Sequence, residues 1–178
     1  MLLLAGGCRS APADREPGSF DTPDTLLEYL CACEAEERYG DVLVALAPED
    51  REPTVYISWY AVAFHALGSD DGASRDYRWI VQRHALREEE LNRGASGTDD
   101  LRRVATEALE GVELGALFDD LVAYQVSHGP FGYAFGFLGG DGSLVIEEDV
   151  ATAEIADVDF TFVKRGSAWT WRFLDFGP

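Results

Sequence analysis

The chain has 178 residues, 47% of them hydrophobic, and 33 acidic residues against 14 basic ones give it a formal charge of −19. That length suits one domain with one core. The charge argues against nucleic-acid binding, which needs clustered cations for phosphate contacts, and against a basic patch docking on anionic lipid heads. Solubility is the plain reading of the acidity; capture of a basic partner or a divalent cation is the sharper one.

The chain opens MLLLAGGC, an apolar run and two glycines directly before Cys8. It resembles the end of a bacterial lipoprotein signal, in which the cysteine is lipidated and becomes the new N-terminus. No Lys or Arg precedes Cys8, and Ala5 stands where such signals usually carry Leu. The match is therefore partial and points to a start codon upstream of Met1. The alternative is an ordinary N-terminus that ends in a chance cysteine, which would leave a cytoplasmic, acidic structural protein. On the first reading residues 1–8 are the end of the signal and residues 9–20, rich in Pro and polar groups, are a tether unable to bury enough surface to fold. Residues 21–178 are then one domain, held at the cell envelope by the acyl chains of Cys8 and facing the periplasm or the surface. No other run is long and apolar enough to span a membrane.

Six helices follow. The first starts at Asp21-Thr22-Pro23, where Asp21 or Thr22 can cap and Pro23 suits the first turn, and Gly40 reads as its stop. A short second helix covers Asp41–Leu46. A third opens at Pro53 and is apolar nearly all round, which predicts burial on most sides. The fourth spans about Ala73–Asn92, the fifth Thr98–Glu110 with Thr98 and Asp99 as caps, and the sixth Leu114–Val126.

After Gly129-Pro130 the apolar period changes to two. Tyr133–Phe137, Ser143–Glu147, Ala156–Phe162 and Trp169–Phe173 read as strands, with Gly139–Gly142 and Lys164–Ser167 as turns. Short turns predict an antiparallel meander, and its aromatic face needs the helices as cover. The expected fold is α+β: N-terminal helices packed on a C-terminal twisted antiparallel sheet of about four strands.

The opening TPDTLLEYLCACEAEERYGDVLVALAPEDR and the closing VDFTFVKRGSAWTWRFLDF resemble the first helices and last hairpin of NTF2-like (cystatin-like α+β) domains. Between them, Ala73–Val126 carries more helix than that compact family usually holds. The resemblance implies a curved antiparallel sheet wrapped round helices, a fold that hosts isomerases, dehydratases, cyclases and many non-catalytic members, so it fixes no function.

Chemistry-bearing residues are few. Cys31 and Cys33 lie two apart on a helix, where they do not face each other, so two unbridged thiols are expected. His65, His84 and His128 lack metal-motif spacing. His65, on the apolar third helix, reads as a hydrogen-bonded core histidine more readily than as a base. His84 reads as partly exposed, and His128 as a helix-end cation. Asp157 and Asp159 share a strand face and could divide acid and base roles if buried. With Phe160 and Phe162 facing the core, they are solvated. His65, Asp157 and Asp159 are thus the catalytic candidates and core or surface placement is the competing account. Trp59, Tyr60, Phe64 and Trp171 are the ligand-pocket candidates, with core packing as their alternative. Glu88-Glu89-Glu90 reads as a solvated face beside Arg87 and Arg93. No cofactor or metal is expected, and no nucleic acid. The membrane partner is reached through Cys8, and a protein or small apolar ligand is open. The expected role is non-catalytic binding, with an NTF2-like small-molecule isomerase or cyclase as the alternative. An inward Asp or His beside a Tyr in a closed pocket would mark the enzyme; a filled sheet concavity would mark the interaction module.

Overall fold

The computed structural model describes residues 20–129, 144–155 and 158–172. Cys8 and the signal and tether up to Ser19, the Tyr133–Phe137 strand, the Gly139–Gly142 turn, Asp157 and Phe173 lie outside the described residues. The described part is α+β, with helices first and a four-stranded antiparallel sheet last.

The first helix, α1, runs Pro23–Ala35. Thr22 caps it by accepting from the Thr25 N–H at 3.2 Å. It ends before Gly40. Glu37 adopts φ 54, and the Arg38 and Glu37 N–H groups donate to Cys33 and Glu34 carbonyls, which satisfies the last turn without a glycine. Gly40 instead falls in a 3₁₀ helix, Tyr39–Ala45. There its backbone crosses Gly115: a Cβ on Gly40 would sit 2.4 Å from the Gly115 carbonyl oxygen. So the expected stop and second helix become one tight 3₁₀ segment that needs glycine for close approach.

Helix α2 is Pro48–Leu67 and contains Pro53 in its interior. Pro48, preset at the first position, is the true opening, and Glu49 and Asp50 favour that end electrostatically. Asp50 is gripped by Arg102 at 2.9 Å and approached by Arg165 at 3.7 Å, which ties the start of α2 to the helix that carries Arg102 and to the sheet. Helix α3 is Asp71–Arg83, much shorter than the predicted Ala73–Asn92. Ala85 takes φ 51, and Leu86 and Ala85 N–H groups close back onto Val81 and Gln82 carbonyls. A second 3₁₀ helix, Glu88–Asn92, follows. Its Glu90 is buried, 2.7 Å from Arg93, so the acidic run is not wholly a solvated face. Helix α4, Thr98–Ala108, is capped by Gly97 rather than by Thr98 or Asp99, and Asp100 reaches back to the Ser96 N–H at 3.0 Å. Helix α5 is Leu114–His128.

The strands are β1 Leu144–Glu147, β2 Val150–Ile155, β3 Val158–Arg165 and β4 Ala168–Arg172, paired in chain order. Strand β2 is absent from the sequence reading because its inward residues include Ala151 and Ala153, too small to mark an apolar stripe. Register places Ala151, Phe162 and Trp171 in one row across the inner face. Gly166, at φ 65, makes the β3–β4 turn. The outer edge of β4 is held by the Trp169 N–H donating to the Phe20 carbonyl at 2.8 Å and by a parallel bridge from Leu46 to Trp171. Phe20, assigned by sequence to the tether, is fully buried. The sheet is covered by α1 and the first 3₁₀ helix, while α2 packs mainly against α4 and α5.

Candidate functional site

The stretch from Thr54 to Ser69 contains no Asp, Glu, Lys or Arg. One side of α2 meets the expectation of burial: Val55, Trp59, Val62 and Ala66 are core residues. The other side does not. Tyr60 is 52%, Phe64 72% and Leu67 86% exposed, and Ile57, one turn earlier, is half-buried. Helix periodicity explains the split. The spacing 57, 60, 64, 67 keeps these four on one stripe, while α3 and α5 occupy the opposite side. The four pocket candidates therefore separate. Trp59 lies in the core, its ring 6.2 Å from that of Tyr56, and Trp171 packs 6.3 Å from Phe160 beneath the sheet. Tyr60 and Phe64 face outward.

Beside the stripe, the ends of α2, α3 and α5 bring polar side chains together. His65 Nδ1 lies 3.1 Å from Tyr124 Oη. Ser69 Oγ donates to the His65 carbonyl at 2.7 Å and lies 3.2 Å from His65 Nδ1. The Tyr124 ring stacks obliquely on His128 at 5.0 Å, and His128 Nε2 is 2.7 Å from Asp76 Oδ2. Burial, with Asp76 and Asp70 nearby, pushes the Tyr124 phenol above its ordinary pKa, so it stays a neutral hydrogen-bonding group. The cluster ties α2 and α3 to α5. It lies among the helices, away from the inner face of the sheet.

His84 makes a second tie between the same helices. Its Nε2 is 2.7 Å from Asp120 Oδ2, and Arg83 holds the other oxygen at 2.9 Å. The His84 side chain is only 7% exposed, more enclosed than its charged neighbours in sequence imply. Asp159 is exposed and pairs across the sheet with Glu154. Two like charges in register there fit a solvated face. Cys33 is buried and Cys31 half-buried, and burial pushes the Cys33 thiol up, which keeps it a poor nucleophile.

Sequence reading also passes over an open groove of 460 Å³ between the end of α4 and the start of α5, lined by Glu52, Glu107, Glu110, Leu109, Val112 and Leu114. Its charges are partly spent, since Glu52 accepts from Thr106 and Glu107 pairs with Arg93 and Arg103. Among the described residues no three His, Cys, Asp or Glu side chains converge as metal ligands, and no helix is long and apolar enough to cross a membrane.

The chain matches no known protein family, no curated protein and no solved structure.

Proposed function

We propose that this chain is a lipid-tethered protein of the bacterial cell envelope whose folded domain acts by binding and not by catalysis. The observation that carries the reading is the filling of the sheet's inner face. Phe162, Ile155, Trp171 and Phe160 are 0%, 1%, 3% and 4% exposed. The resemblance to NTF2-like domains covers enzymes and non-catalytic members alike, and the enzymes would need an open concavity in the sheet; in this chain the rings of Phe160, Phe162 and Trp171 occupy the sheet's inner face. The pairing of His65 with Tyr124 is what an isomerase would use, but it sits in the helix layer as an interhelical tie. The exposed stripe of α2 offers a binding surface instead.

The tether rests on the MLLLAGGC start and the polar run after it. A multi-chain lipid adds about 0.8 kcal/mol of membrane affinity per buried methylene, enough to hold the domain at a bilayer. Radioactive palmitate fed to cells expressing the gene from its native locus tests this. The wild-type chain is expected to carry label and Cys8→Ala to carry none. An unlabelled wild-type chain overturns the reading.

A further inference from the structure

We infer that the exposed stripe of α2 receives the apolar face of a single cationic, amphipathic helix from another protein. This rests on the binding reading above and names the partner's chemistry. Ile57, Tyr60, Phe64 and Leu67 follow 3-4-3 spacing, the seam on which one helix packs along another. A seam of this kind selects a helix over an extended peptide, because β-addition needs an open strand edge and the stripe presents only side chains.

Charge decides between possible helices. Large side chains bury about 150–250 Å² each, so three that are half to nine-tenths exposed offer roughly 400 Å². A standard interface takes about 800 Å² from each partner, so any helix seated on this stripe alone, from a second copy or from another protein, makes a weak contact. Each copy also carries −19, and like charges of that size oppose self-association. The stripe itself lies in a run without Asp, Glu, Lys or Arg from Thr54 to Ser69; Asp70 and Asp71 follow its end, and near its start Tyr56 donates to the carbonyl of Glu90, whose carboxylate is paired with Arg93. The attraction is thus the long-range field of the whole molecule, which steers a cationic partner, and the uncharged stripe then selects its apolar face.

The probe is a synthetic helix of about 20 residues with Leu at the seam positions and Lys and Gln elsewhere. A scrambled peptide of the same composition is the control. Binding to the full chain is read by fluorescence anisotropy. The seam peptide is expected to bind, to weaken in high salt, and to lose about tenfold in affinity against Phe64→Ser or Leu67→Ser, as for a residue at the centre of a small interface. Both replaced residues are largely exposed, so both variants keep the wild-type melting curve. Equal binding of the scrambled peptide, unchanged binding to either variant, or a dimer of the chain that Phe64→Ser abolishes each overturns the inference. Loss of the peptide result with Cys8-dependent labelling intact removes the partner and leaves the tether.

Discussion

Asp119 shows how one side chain can oppose and support the fold together. Its Oδ1 accepts the Gly40 N–H at 2.6 Å, holding the first 3₁₀ helix against α5. Burial, with Asp41 and Asp120 nearby, raises its pKa above the ordinary carboxyl value. A carboxyl whose folded pKa is raised contributes stability that is complete below the unfolded value and is lost as pH rises through the folded one. Asp119→Asn keeps the acceptor and removes the buried charge. The variant is expected to equal or exceed the wild type in urea midpoint at neutral pH, with the difference vanishing in acid. A neutral-pH loss would show that the charged hydrogen bond outweighs burial. Nothing near Asp119 in sequence announces this, because its partner lies far up the chain. The same holds for Gly40, whose neighbours suggest a helix stop while its close contact is with Gly115. Thr22 and Pro23 were legible because a cap and its helix are adjacent.

At the scale of elements, the sequence supports helix starts better than helix ends. Helices α1 and α3 close on Glu37 and Ala85, non-glycine residues held at φ 54 and 51. A left-handed backbone costs an ordinary residue about 1–2 kcal/mol, which glycine avoids while losing part of that gain in the unfolded chain. Ala85→Gly is therefore expected to stabilise the protein by about 0.5–1 kcal/mol, read as a raised urea midpoint at unchanged slope. A lowered midpoint would mean that the Ala85 methyl contributes packing. No Gly or Pro marks that helix end, which is why α3 reads as continuous through Asn92. Strand β2 hides for a related reason: Ala151 and Ala153 face inward but lack the bulk that reveals alternation. Helix α2 reads as buried on most sides because its outward stripe is as apolar as its inward one. Only the arrangement of α3, α4 and α5 shows which side is covered.

The whole molecule is organised around one contiguous core. Helices α2 to α5 pack on one another, α1 with the first 3₁₀ helix lies over the sheet, and that 3₁₀ helix joins the two parts by packing on α5. The α+β class and the antiparallel sheet were legible, since the apolar period changes from that of helices to that of strands along the chain; the strand order was not, because β2 lies between β1 and β3 and is not marked in the sequence. What was not legible is where the aromatic residues divide. Trp59 and Trp171 enter the interior, while Tyr60 and Phe64, sequence neighbours of Trp59, remain outside. That division is what favours a surface that binds over a cavity that catalyses. It makes the filled inner face of the sheet the claim on which the account stands.

The most direct test is the melting of the full chain with and without saturating benzene, a ligand that occupies dry apolar cavities. A filled interior offers no such site, so the wild-type melting temperature is expected to stay unchanged, by the linkage between binding and stability. Phe162→Ala, which empties space under Trp171, is expected to lose about 3–5 kcal/mol and to regain part of it with benzene. A wild-type chain that benzene stabilises would reveal an unfilled apolar pocket and contradict the account.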